Sequence, residues 1–276
     1  MSSQLFQDRP ASSWTEAKRL LAKYGQSQLF RGQANAEWLL RTSLERCSFF
    51  AKSYHVERDV LEDFQRAAVS YQEIRHLPAK DDYVSWLAIM QHYGAPTRLL
   101  DFTESPFVAS YFALENATEN CAVWTIDERD LKSDLHHKWR FEFHDEINFE
   151  LKPSVFKEIF EENKLECIFP VRPPLSNRRY LLQQSIFLCL GNSNQTFMQH
   201  LAAYPYPEGF PRHFHKIVIP IQARDEALWD LNRMNINRST LFGDLEAYTA
   251  YLKRHYELRY DGAPHKVWNA ENPDGE

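Results

Sequence analysis

The run QHYGAPTRLLDFTESPFVASYFA, Gln91 to Ala113, gathers His92, Tyr93, Thr97, Arg98, Asp101, Thr103 and Glu104 around one glycine and two prolines. Imidazole, carboxylate, hydroxyl and guanidinium at such close spacing are the groups of acid–base work and of anion binding. Well upstream, FRGQ, Phe30 to Gln33, sets Arg31 behind the apolar Leu29 and Phe30 and directly before Gly32. A strand ending this way would hold a guanidinium over a site, where its planar fork grips phosphate oxygens bidentately. Gly32 would let something large approach the backbone. Each segment also has a plain structural explanation. LFRG is equally the end of a half-buried strand with a turn glycine. Arg98 and Asp101 equally pin a loop while Thr103 or Ser105 caps the next helix, and His92 equally sits at a helix C-terminus that favours a cation.

Other chemistries lack their residues. His136 and His137 are adjacent and His213 and His215 stand one residue apart, but no HExxH or CxxC accompanies either pair, so no metal is expected. There is no GxxxxGK[ST], no GxGxxG after a strand and no GxSxG, and the chain has only 8 glycines, which leaves phosphate-loop, Rossmann and hydrolase-elbow chemistries unsupported. A net charge of −6 and an isoelectric point near 6.0 argue against nucleic acid as the main partner. Lys253, Arg254 and Arg259 are diluted by Glu257 and Asp261 and read as a solvated helix face. The 14% of aromatic residues would line a pocket for a planar ligand or fill a large core. Cys47, Cys121, Cys167 and Cys189 are widely spaced, as expected of buried, reduced thiols in a cytoplasmic protein. No signal-like start and no apolar run of about 18 residues occurs, so neither secretion nor a membrane span is expected.

The elements that must position these groups can be read from periodicity. Ser13 and Glu16 suggest a capping box that opens a helix over 13–24, closed by Gly25. The FRGQ strand follows. Apolar residues at helical spacing predict an amphipathic helix from His55 to Ile74, and another should run from Tyr83 to Tyr93, ended by Gly94 and Pro96. A loop then carries Thr97 to Thr103 to a helix capped by Ser105 with Pro106 in its first turn. CAVWTID, ECIFPV, SIFLCLG and FHKIVIPI read as strands, and Arg224 to Met234 and 244–258 as helices. Residues 128–163 mix their signals and no element is placed there. With no repeat and no linker, one α+β domain over 1–276 is expected, with small mixed or antiparallel sheets flanked by helices.

FRGQ and the Gln91–Ala113 run together resemble the FRG domain family, named for an aromatic-Arg-Gly tripeptide and marked by Gln-His-Tyr-Gly-x-Pro-Thr-Arg-Leu-Leu-Asp-aromatic-Thr. Two weaker matches follow in family order: RRYLLQQSIFLCLG, as an arginine and paired glutamines entering a strand, and STLFGDLEAYTAYL, as a C-terminal helix with Gly243 where a proline is usual. The likeness runs from about Ser13 to Leu258. More distantly, the order of strand-borne Arg-Gly, a hydroxyl before a VAxxFA helix and a polar residue opening a later strand is similar to ADP-ribosyltransferases of the Arg-Ser-Glu type. That likeness implies an ADP-ribosyltransferase-like core. It gives Arg31 the role of strand arginine and Thr103 that of the hydroxyl, and it sets Gln183 or Gln184 where a catalytic glutamate would stand.

The resemblance implies NAD as substrate, cleaved at the nicotinamide–ribose bond by ADP-ribosyl transfer or hydrolysis, in a toxin or defence effector of bacteria or phages. A small-molecule nucleotide is then the partner, with a protein as a further acceptor. Arg31, His92, Asp101, Thr103 and Gln184 become the catalytic candidates. Arg31, Gly32, Gln33, Tyr93, Thr97, Arg98 and Phe102 become the nucleotide-binding ones, with Tyr93 or Phe102 stacking on the nicotinamide. Bond cleavage builds positive charge on the ribose, and an amide in place of the glutamate supplies no charge to offset it. Losing such a partner costs ~3 kcal/mol of transition-state stabilisation. Either Asp101 or Glu104 substitutes, or the site binds without cutting, as a nucleotide-sensing or protein-interaction module would. Arg31, His92, Arg98, Asp101, Thr103 and Gln184 are expected to converge on one cleft.

Overall fold

The computed structural model describes residues 6–49, 53–71, 77–139, 142–143, 149–150, 153–172, 178–203 and 214–257. In chain order the first elements are β1 (Gln7–Pro10), α1 (Trp14–Leu21), β2 (Gln28–Gln33), α2 (Ser53–Ala68), α3 (Tyr83–His92), β3 (Leu99–Thr103), α4 (Pro106–Leu114) and β4 (Cys121–Asp127). Then come α5 (Glu128–Trp139), β5 (Glu142–Phe143), β6 (Phe149–Glu150), α6 (Pro153–Phe156) with a π-helical turn at Lys157–Glu161, and β7 (Ile168–Val171). The chain continues through α7 (Arg178–Leu182), β8 (Ser185–Leu190), α8 (Phe197–Ala202), β9 (His215–Ile219), α9 (Arg224–Arg233), α10 (Arg238–Phe242) and α11 (Leu245–Glu257). The fold is α+β. Its main sheet is mixed, in the order β1-β9-β4-β2-β3-β8-β7, parallel only between β1 and β9, and β5 and β6 form a separate ribbon.

Strand alternation divides the interior between the two faces of this sheet. Leu29, Ala122, Trp124 and Ile126 join a core with α2 and α3. Phe30, Cys121, Val123 and Ile217 join a second core with α1, α4 and α9. The sheet is almost cut in two. β2 pairs with β4 over six residues and β3 with β8 over five, yet β2 and β3 meet only at Phe30 and Thr103 and then diverge.

Several elements differ from the sequence expectation. The segment from Leu99 to Thr103 is a strand in place of a loop, because Leu100 and Phe102 turn inward, Asp101 turns out, and β8 supplies the ladder. Helix α1 ends at Leu21, its last residue facing the core, well short of Gly25. Ser13 accepts from the Glu16 amide as a cap should, but the Glu16 carboxylate returns to the Ser12 amide and hydroxyl instead of closing the box on Ser13. RRYLL forms α7 rather than entering a strand, and Gln184 makes the break to β8 at a φ of 47°. STLFGDLEAYTAYL is two helices parted by Gly243 at a φ of 74°.

Gly94, with a φ of 82°, follows α3, and Ser105 caps α4 by accepting from the Val108 amide. The described part of 128–163 holds α5, the β5–β6 ribbon and the π-helical turn. β1 escaped prediction because its mostly exposed residues carry no apolar alternation. Residues 72–74 of the expected second helix, Leu258 and Arg259 lie outside the described residues. Among those described, no helix is long and apolar enough to cross a membrane.

Candidate functional site

Where β2 and β3 diverge, the split opens into a cavity of about 430 Å³. The strands contribute Arg31, Gln33, Asp101 and Thr103. Helix α4 contributes Phe112, the junction of α7 and β8 contributes Arg179 and Gln183, and the stretch after β2 contributes Trp38 and Arg46. Among the described residues, three guanidinium groups thus line the wall with one carboxylate, that of Asp101. Such an excess of positive charge in a recess favours an anionic guest.

Arg31 lies on the strand face of Leu29 and Gln33, and it spans the gap that the sheet leaves open. Its Nη1 donates to the Asp101 carbonyl oxygen at 2.7 Å, with Asp101 Oδ2 at 3.6 Å, while its buried Nε has no hydrogen-bond partner. Burial pulls its pKa below the ordinary arginine value and Asp101 partly restores it, with Arg46 opposing. Gly32 faces the other way. A Cβ there would run into the Ala109 carbonyl and the Ala113 amide, so this glycine admits the close approach of helix α4, and its backbone also borders the cavity.

The carboxylate of Asp101 is oriented by a short relay. Thr97 Oγ1 donates to Gln91 Oε1 at 2.6 Å and Ser43 Oγ does so at 3.2 Å, which leaves the Gln91 amide nitrogen to donate to Asp101 Oδ2 at 2.9 Å. Thr97 is therefore buried behind the site rather than in it. Thr103 borders the cavity with its hydroxyl engaged, donating to the Gln183 carbonyl at 2.7 Å and accepting from the Ser105 amide at 3.0 Å.

The remaining sequence candidates scatter. Gln33 lines the cavity while its side chain holds the Leu39 carbonyl and the Trp124 indole, and Phe102 lines it while packing on Phe197. Of the paired glutamines, Gln183 reaches the cavity, with Nε2 donating to the Leu241 carbonyl at 3.2 Å. Gln184 is exposed at the strand entry and is not among the lining residues. His92 sits half-buried, edge-on to Tyr93 and Tyr180, and burial followed by the charge of Arg179 lowers its pKa. Tyr93 is exposed and, like His92, lies off the cavity wall.

Arg98 lies well apart from the wall. It is 2% exposed, bonded through Nε to Glu57 Oε2 at 2.7 Å and through Nη1 to the Ile159 and Leu190 carbonyls. Its partner is Glu57 rather than Asp101, and no convergence of Arg98 with Arg31 occurs. Glu104 pairs with Arg172.

Trp38, Arg46, Gln91 and Arg179 are among the lining residues that sequence reading did not single out, with Ala34, Ala109, Phe112 and Ser185. Gln91 opens the conspicuous run and Arg179 stands in the arginine–glutamine segment, so both had a motif to find them by, whereas Trp38 and Arg46 had none. Arg179 is held by its guanidinium lying 4.2 Å over the Phe242 ring. His213 and the side chain of His137 lie outside the described residues. Among those described, no group of three or more His, Cys, Asp or Glu is arranged to hold a metal ion.

The family model described as the FRG domain matches residues 26–121, about a third of the chain, and this segment carries Arg31, Trp38, Arg46, Gln91, Asp101 and Thr103. No curated protein and no solved structure matches the chain.

Proposed function

From a chain that carries an FRG domain over residues 26–121, we propose a protein that binds NAD or a closely related nucleotide in the cavity between β2 and β3 and cleaves the nicotinamide–ribose bond, by ADP-ribosyl transfer or hydrolysis. The observation that carries this is Arg31: a half-buried guanidinium on the cavity wall whose buried Nε is unpartnered, beside two further arginines, in a protein of net charge −6. A guanidinium so placed suits phosphate oxygens. Cleavage needs negative charge near the ribose as its cation develops. Asp101, the one carboxylate on the wall among the described residues and aimed by Gln91, is the group to supply it.

A second function, nucleotide binding without chemistry, is favoured by Gln183. It is one of the two glutamines, with Gln184, set where the ADP-ribosyltransferase likeness would want a glutamate, and its amide is given to the Leu241 carbonyl. The proposal extends to an effector acting in the cytoplasm, toxic or defensive, with a protein as a further acceptor. The cytoplasmic setting is supported by four cysteines that form no disulfide with one another.

Incubating the protein with NAD, following released nicotinamide and titrating ADP-ribose by calorimetry separates the two. Turnover by the wild type that Arg31→Ala or Asp101→Asn abolishes supports the enzyme. Tight binding with NAD left intact supports the sensor. Neither binding nor turnover removes both.

A further inference from the structure

Trp38 is 56% exposed, although a tryptophan gains more than almost any other residue from burial. Its backbone is nonetheless firmly held. The Ala36 amide donates to the Asn120 carbonyl at 2.7 Å, Asn35 accepts from the Glu37 amide at 2.7 Å and donates to Glu119 at 3.1 Å, and Gln33 holds the Leu39 carbonyl at 3.2 Å. The backbone that carries the indole is thus anchored at the edge of a cavity, and among the described residues no ring or cation packs on the indole. Arg46 borders the same cavity and, among the described residues, forms no ion pair.

We infer that Trp38 is the platform for a planar heteroaromatic ring whose attached phosphate or diphosphate is held by Arg31 and Arg46, with Arg179 closing the far wall. This rests on the nucleotide function proposed above and gives that ligand two subsites, one for the ring and one for the anion. The charge agrees: three arginines against Asp101 leave an excess of two, which matches a phosphate monoester or a diphosphate bridge. A ring already backed by a rigid loop stacks with little loss of side-chain freedom. Base–aromatic stacking is sequence-tolerant because every base presents a π-face.

Calorimetric titration of the wild type, Trp38→Ala and Trp38→Phe with ADP-ribose, AMP and inorganic pyrophosphate tests this. Thermal melts of the three proteins should coincide, since the exposed indole takes no part in a core. Trp38→Ala should weaken ADP-ribose and AMP by on the order of tenfold or more. It should leave pyrophosphate within about twofold, and Trp38→Phe should stay close to wild type. A preference for ADP-ribose over AMP identifies the anion as a diphosphate, and the reverse as a monoester. Unchanged nucleotide affinity in Trp38→Ala, or an equal loss for pyrophosphate, overturns the stacking role alone. A wild type that binds pyrophosphate and neither nucleotide overturns the nucleotide function and the ring platform together.

Discussion

Nη1 of Arg31 lies 2.7 Å from the carbonyl oxygen of Asp101, across the point where β2 and β3 part. In an unbroken antiparallel ladder that carbonyl would accept from a backbone amide. Here a side chain takes the amide's place, and the width gained is the cavity. Arg31 is therefore both a strut between the half-sheets and a wall of the site. Arg31→Lys should keep the charge yet lose the fork, weakening nucleotide binding by on the order of tenfold, and Arg31→Ala should weaken it further. Affinities for ADP-ribose measured on the three proteins check the order.

Gly32 is set by packing against α4. Gly32→Ala should cost about 3 kcal/mol or more, because the obstructing atoms are backbone and cannot rotate aside. Denaturant unfolding of the purified variant measures it. Wild-type stability would show that α4 can shift away.

Arg98 and Glu57 form a buried ion pair at the head of β3, away from the cavity. Arg98→Ala should lower stability by about 3–5 kcal/mol, since the Glu57 carboxylate is left buried and uncompensated. Arg98→Met combined with Glu57→Leu should recover much of that. Ligand affinity of the folded double variant should match wild type, in contrast with Arg31→Ala.

The Thr103 hydroxyl ties β3 to both the Gln183 carbonyl and the start of α4. Thr103→Val should cost about 1–3 kcal/mol by leaving the Gln183 carbonyl unbonded, and Thr103→Ser clearly less. Thermal unfolding of the pair separates loss of the hydroxyl from loss of the methyl.

His92 and His200 both titrate below the ordinary histidine value of 6.5. Burial is the main cause in each, aided at His92 by Arg179 and opposed at His200 by the Thr196 carbonyl and Glu166. A group with a lowered folded pKa binds more protons in the unfolded chain. Its stabilising contribution is thus complete above 6.5 and is lost as the pH falls from there toward the folded value. Denaturant midpoints should hold above about pH 7 and decline below about pH 6.5. The decline should be shallower in His92→Gln and shallower again when His200→Gln is added.

The sequence by itself determined what is local. The Ser105 cap, Pro106 in the first turn of α4 and the left-handed Gly94 follow from hydrogen bonds and dihedral limits within a few residues. The strands CAVWTID, SIFLCLG and HKIVI follow from runs of apolar and β-branched residues. Arg31 as a residue aimed at a recess was also legible, since its strand alternates and its partners need only be on the correct face.

Tertiary structure alone decided which distant groups share that recess. Leu99–Thr103 became a strand because β8 offered a ladder, and no signal inside LLDFT announces that partner. Arg98 and Asp101, three positions apart and so alike as candidates, were sent to different places. One found Glu57 on α2 and the other found Arg31 and Gln91. Trp38 and Arg46 reached the site through loop anchors formed with residues far along the chain, and Gly32 was fixed by a helix that the sequence places some eighty positions later. Hydrogen bonds within a turn are encoded where they are made. A charge or a glycine takes its role from whatever the fold later brings beside it, because desolvation and close packing depend on neighbours in space and not on neighbours in sequence.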